Sequence, residues 1–394
     1  MKVMLLTSVP MSPPWDQGDK NFAYSLTQAL PDVQFRVLST VDNSVPVGGN
    51  LDIRRRYHTR TPSILEKTAV YLWLLWKPFA ESRYQPNGTH DSKRPDAPPD
   101  LYHLVYRPLH LSTWMSRLLP DFRRRPTIQT IPATADEGPM QANLFFADQI
   151  VAQSEYGLQR IQRAGITDVL RIPPGIATNE WSSLAHQQEY WKNRLQLDPR
   201  RPVLLFPGHY GSGQGADILT AALPDVLRMH PGTQVLFACR LRTREDRRLE
   251  IQTKKLLASQ GLADYVHHYN TVTDMRPLIG ASDIVLLPLQ TMRDKVDIPI
   301  TLLEAMAAGK PFIISDIPPM NELVHRPELE ADHPPGLHVQ PGDHPGLSSA
   351  INKLLDSPKL RRQMGDAGLK TVRSQYEIRS VAQRYKKLYN RLLT

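Results

Sequence analysis

KVDIPITLLEAMAAGKPFIISD, residues 295–316, carries a loop, a helix and a strand in one uninterrupted run. Pro299 stands near the start of the helical period and Gly309 near its end, the usual asymmetry of helix punctuation. Phe312-Ile313-Ile314-Ser315 follows at once, short and apolar, as a strand buried on both faces of a parallel sheet reads. Glu304 interrupts the helix, flanked by Leu302, Leu303, Ala305, Met306 and Ala307. An unpaired buried carboxylate is costly, so this one requires a polar partner or a ligand.

The same alternation extends in both directions. Apolar runs of strand length recur at residues 3–6, 33–38, 101–105, 127–131, 149–152 and 169–172, and again at 203–206, 234–238, 265–268, 284–287 and 312–315. Helix-period segments lie between them, which predicts an α/β fold with parallel sheets covered by helices. The set occurs twice and 394 residues exceed what one core usually serves, so two Rossmann-like domains facing across a cleft are predicted. Pro173-Pro174-Gly175-Ile176 closes the first set, and a Trp- and Gln-rich helix leads from it to Pro199 and Pro202. The predicted division is residues 1–178 and 179–375. Val381, Tyr385, Leu388 and Leu392 make residues 376–394 an amphipathic helix whose apolar face needs a cover. Residues 83–99, rich in Pro, Asp and Asn, read as a long loop.

Composition removes several classes. Cys239 is the one cysteine, which excludes an intrachain disulfide and a cysteine-rich metal cluster and makes the cytoplasm the default location. MKVMLLTSV at the N-terminus reads as a first strand rather than a signal peptide. The longest apolar run, residues 69–76 (AVYLWLLW), is well short of the ~20 residues that span a bilayer. Forty-eight basic against 39 acidic residues give net +9, which attracts phosphates, nucleic acids and anionic lipids alike. The basic clusters at 54–56, 123–125 and 240–248 lack interleaved aromatics and zinc-finger spacing, so no nucleic-acid partner is predicted. The 13 histidines form no His-x-x-x-His pattern, and no metal is predicted. No Gly-x-Ser-x-Gly elbow follows a strand, which excludes the usual Ser-His-Asp hydrolase.

Ligands of open parallel sheets bind outside the carboxyl ends of the strands. The first loop there is Phe206-Pro207-Gly208-His209-Tyr210-Gly211-Ser212-Gly213-Gln214-Gly215, which follows a strand and opens a helix. Its glycines let backbone N–H groups approach a phosphate at a helix N-terminus, but its spacing is neither the P-loop nor the dinucleotide fingerprint. A phosphate cradle and an ordinary βα turn both fit it. The second loop is the one that opens at Lys295.

The run Leu302-Leu303-Glu304-Ala305-Met306-Ala307-Ala308-Gly309-Lys310-Pro311 resembles the retaining family 4 glycosyltransferases of the GT-B fold. The segments Ala281-Ser282-Asp283-Ile284-Val285, Gly336-Leu337-His338-Val339, Pro341-Gly342-Asp343 and Arg361-Arg362-Gln363-Met364-Gly365 match in order. The first half is similar more faintly, at Ala147-Asp148-Gln149-Ile150-Val151 and Ile172-Pro173-Pro174-Gly175. The resemblance implies that a nucleotide-diphosphate sugar is the co-substrate, that no further cofactor is needed, and that the sugar passes to a hydroxyl with retained configuration. It also implies that Glu304 binds the donor's ribose, and that the backbone of Ile300, Thr301, Leu302 and Leu303 with the Thr301 hydroxyl faces the diphosphate. The terminal helix would cross back to the first domain.

The departures are specific. The family's E-x7-E pattern places its first glutamate at position 296, where this chain has Val296, and His209 and Gln214 stand near the family's usual arginine and lysine. Lys295 or Arg240 is expected to supply the missing positive charge, beside Gly208 in the donor site. Pro132 occupies the place of a sugar-contacting histidine. In the loop after the first strand, Trp15, Asp16 and Gly18 would border the acceptor, with Trp15 either stacked on a sugar or partly buried. The acceptor is a glycan, a lipid or a small molecule. Residues 54–76, basic and then aromatic, read as a peripheral membrane contact at the inner face or as a core-facing helix. A degenerate sugar-nucleotide or glycan binder is the competing reading.

Overall fold

A computed structural model describes residues 1–7, 11, 18–40, 50–57, 98–107, 110–118, 124–135, 138–211, 213–241, 243–270, 272–293, 295–325 and 333–394. Trp15, Asp16, residues 58–76 and nearly all of the loop expected at 83–99 lie outside them. The chain forms two compact units, one of residues 1–175 with 378–394 and one of residues 176–377.

The first unit holds seven strands: Lys2–Thr7 (β1), Gln34–Thr40 (β2), Leu51–Tyr57 (β3), Leu101–Val105 (β4), Thr127–Ile131 (β5), Gln149–Ala152 (β6) and Val169–Arg171 (β7). Their order is β3-β2-β1-β4-β5-β6-β7 and the pairings are parallel. The interior strands β4, β5 and β6 are buried along their whole lengths, which is why they read as continuous apolar runs. β3 is an edge strand that the apolar pattern misses, because Arg54, Arg55 and Arg56 interrupt it. Its register puts Asp52 opposite Arg36 of β2, and the two form an ion pair of 2.6 Å.

Helix Ile378–Leu393 packs Val381, Ala382, Tyr385, Leu388 and Tyr389 into the same core as Val3, Leu5, Phe22, Leu26 and Val151. The amphipathic spacing thus has its cover. Buried His103 of β4 lies 2.8 Å from the Tyr389 hydroxyl through Nδ1 and 2.8 Å from the Thr130 hydroxyl through Nε2. Burial pushes its pKa down to about 3, so the ring is neutral in the fold. A depressed histidine stabilises the fold fully above its unfolded value near 6.5, and that stability is lost as pH falls towards the folded value. Denaturation of the protein at pH 7 and pH 5 is expected to show a loss of about 2 kcal/mol from this group. A His103→Gln variant should lack that increment. Equal pH slopes in the two proteins would remove His103 as its source.

The second unit holds Val203–Phe206 (β8), Gln234–Ala238 (β9), Val266–Tyr269 (β10), Ile284–Leu287 (β11), Phe312–Ser315 (β12) and Gly336–Val339 (β13). Their order is β10-β9-β8-β11-β12-β13, again with parallel pairings. β13 is the second edge strand absent from the apolar pattern, four residues long with one exposed position. β10 starts one residue later than its apolar run, since Tyr265 closes a short 3-10 turn. Helix Ile300–Ala307 links β11 to β12 and buries Leu302 through Ala307. Helix Pro358–Gln375 meets it at Gly365, where an added Cβ would overlap the Gly309 carbonyl, so close approach requires glycine.

Candidate functional site

Within the second unit the chain steps from β8 outward to β9 and β10, then returns to β11 and steps the other way to β12 and β13. The switch point therefore lies between β8 and β11, and ligands of open α/β sheets bind outside the carboxyl ends of the strands there. Two loops leave from it, residues 207–215 after β8 and 288–299 after β11. They are joined: the Gln290 N–H donates to the Gly213 carbonyl at 2.8 Å. Gly215 has φ +95°, and a Cβ on it would stand 2.9 Å from the Pro288 carbonyl oxygen. Both facts require glycine at that point.

Gly215 stands at the N-cap of helix Ala216–Met229, and among the described residues no side-chain hydrogen bond caps that position. Gly208 is buried and lies against Phe206. His209 bridges to Gly215 across the loop, and the Gln214 N–H donates to Gly211 at 3.1 Å; both side chains are half-buried. Tyr210 fixes the loop from beneath, with its hydroxyl 2.6 Å from His268 Nδ1 of β10 and its ring stacked with Phe237. Burial, with the Lys254 charge, pushes His268 down to about 4, so a neutral ring faces the tyrosine. Neither Tyr210 nor His268 stands out in the sequence, because a loop tyrosine and a strand histidine carry no spacing signal.

Arg240 and Lys295 are half-buried. Cys239, between β9 and Arg240, is fully buried. Burial raises its thiol pKa, while the Gly208 N–H and the Lys295 ammonium pull it down. Lys295 is thus within electrostatic reach of the fully buried thiol that Gly208 contacts.

Helix Ile300–Ala307 starts from Pro299, which offers no side-chain cap; the Leu302 N–H reaches the Pro299 carbonyl at 3.0 Å. Ile300 and Thr301 are half-buried in its first turn. Leu302 and Leu303 are fully buried, backbone included. Glu304, one position on, is 8% exposed, and among the described residues its carboxylate has no hydrogen-bond partner. Burial raises its pKa to about 8, and the nearby Asp274 charge adds to the effect. Asp274 itself is held low: burial opposes this, but hydrogen bonds from Arg276 at 2.9 Å prevail. The Asp274–Arg276 pair beside Glu304 is also absent from the sequence reading, since it sits after an edge strand in a segment without apolar period.

Val296 is half-buried and offers no carboxylate; Asp297, next to it, is fully buried. Of the acceptor-side residues, Gly18 opens helix Gly18–Ala29 in the first unit.

Residues 187–371 match the family model described as Glycosyl transferases group 1. The chain is 24% identical over 207 residues to the alpha-D-kanosaminyltransferase of Streptomyces kanamyceticus, covering 51% of this chain and 48% of that protein. It is 26% identical over 236 residues to a GDP-mannose-dependent phosphatidylinositol monomannoside mannosyltransferase of Corynebacterium glutamicum, covering 58% of each. The chain spans about half the length of the curated relatives it matches. In structure it is similar to the sucrose-phosphate synthase of Thermosynechococcus elongatus, with TM-score 0.76 at 18% identity over 100% of this chain and 99% of that one. Anabaena HepE in complex with UDP gives TM-score 0.74 at 14% identity over 100% of both. The fold is that of the GT-B glycosyltransferases.

Proposed function

From the premise that the chain belongs, through residues 187–371, to the glycosyl transferases group 1, we propose that it moves a sugar from a nucleotide-diphosphate donor to an acceptor hydroxyl. The observation that carries this reading is Glu304, a buried carboxylate without a hydrogen-bond partner among the described residues, at a site where a ribose diol would donate two hydrogen bonds. Relatives support the donor class: one is named for GDP-mannose, and HepE was crystallised with UDP. Retention of configuration rests on the family resemblance and on relatives named for alpha linkages.

In this mechanism the leading N–H groups of helices Ile300–Ala307 and Ala216–Met229 hold the diphosphate, whose negative charge grows as the sugar–phosphate bond breaks. Lys295 adds a positive charge there. The new bond forms between the anomeric carbon and the acceptor oxygen, and the acceptor's proton passes to the departing phosphate oxygen. No protein base is required for that transfer, and no metal or further cofactor enters the proposal.

A panel of UDP-, GDP- and ADP-sugars tested by thermal shift should contain at least one stabilising donor. Lys295→Ala is expected to lower turnover with that donor by about a hundredfold. Unchanged affinity and turnover would remove Lys295 from the site and leave Arg240 as the candidate cation. Val296 in place of a carboxylate favours a second reading, a binder without turnover; donor stabilisation with no release of nucleoside diphosphate would establish it.

A further inference from the structure

Spacing alone predicts no metal site, yet the fold brings two imidazoles and a carboxylate together at the β12–β13 edge of the second sheet. His325 Nε2 lies 3.0 Å from Asp316 Oδ1, and His338 Nδ1 lies 3.7 Å from Asp316 Oδ2. The two imidazole rings stand 4.3 Å apart, and the three donor atoms all lie within 4.8 Å of one another. The residues are distant in sequence, so no short motif announces them.

The framework explains the convergence. Asp316 directly follows β12, and its N–H donates to the Val339 carbonyl at 2.8 Å, which extends the β12–β13 ladder. His338 pairs with Ile314, so Asp316 and His338 project from the same face of the sheet. Asn321 donates to Asp316 Oδ1 at 2.9 Å, and its backbone carbonyl accepts from the His325 N–H at 3.0 Å. One residue therefore orients the carboxylate and begins the turn that carries the third donor, as outer partners of metal ligands commonly do.

We propose that Asp316, His325 and His338 form a binding site for a divalent transition-metal ion, with Zn2+ the natural occupant. Metal–ligand bonds of about 2.0–2.1 Å place tetrahedral ligand atoms ~3.3 Å apart, so small side-chain rotations convert the observed arrangement into a coordinating one. Two imidazoles and one carboxylate suit zinc, cobalt, nickel or copper, whereas magnesium and calcium seek cages of oxygen. All three side chains keep contact with solvent, which leaves a further position for water. The ion would clamp the segment 316–325 to the short edge strand β13.

The full chain, stripped with chelator, is titrated with Co2+ and followed by its visible d–d absorption, then with Zn2+ or Mg2+ as competitor. One Co2+ per chain, displaced by Zn2+ and not by Mg2+, is expected. His325→Ala and His338→Ala should each weaken binding by at least about tenfold. Both histidines are partly exposed, so the variants should fold, and circular dichroism checks this. Equal Co2+ affinity in the folded His325→Ala/His338→Ala variant, or no Co2+ absorption in the parent chain, overturns the site. Because the readout is metal binding, the result is independent of the glycosyltransferase reading.

Discussion

Glu304→Gln melts higher than the parent protein at pH 8.5, and in the same preparation turnover falls by about a hundredfold or more. Both effects come from one buried charge. The folded pKa of about 8 lies above the usual carboxylate value of 4.5, so between those values the fold keeps a proton that the unfolded chain releases. Glu304 thus supports stability fully below pH 4.5, and that support disappears as pH rises through about 8. Above that range the ionised side chain is a burden of a few kcal/mol, to order of magnitude, and a neutral amide of the same shape removes it. Donor binding reverses the preference, since ribose hydroxyls satisfy an ionised carboxylate better than an amide. Melting curves across pH 5 to 9 check the first half: the parent should lose stability through this window relative to the variant. Parallel curves would show that Glu304 is not buried and unpaired in solution.

Gly208→Ala acts on the other wall of the site. An added Cβ would overlap the ring of Phe206, which is fully buried and packed edge-on against Phe237 at 5.3 Å. The ring has no empty volume to enter, so the loop or the core must shift, at a cost of about 1–3 kcal/mol. A displaced loop also loses the backbone geometry proposed to hold the diphosphate. Chemical denaturation should show the stability loss, and the donor that stabilises the parent should give little or no thermal shift. An alanine variant with the parent's stability and donor response would mean that the loop tolerates movement and does not form the site.

The interior strands were legible in the sequence, whereas one edge strand of each sheet was obscure. Strands such as β5, β8 and β11 are covered on both faces and therefore read as short apolar runs. β3 and β13 have one free edge each, carry arginines or a histidine, and give no such run. Glu304 stood out because a carboxylate among buried aliphatics is anomalous at sequence level. Tyr210 and His268 did not, because each partner comes from another element and only the fold brings them together, and Asp274 with Arg276 did not, because their local pair lies in a segment without apolar period. The Asp316, His325 and His338 group escaped for the same reason.

Nucleoside diphosphate release is the decisive measurement for sugar transfer through Glu304. The parent chain and Glu304→Gln are incubated with UDP-, GDP- and ADP-sugars, and the freed diphosphate is measured over time. Slow hydrolysis of at least one donor by the parent chain is expected, reduced by about a hundredfold or more in the folded variant. Equal release by both proteins, or none from any donor by the folded parent chain, would contradict it.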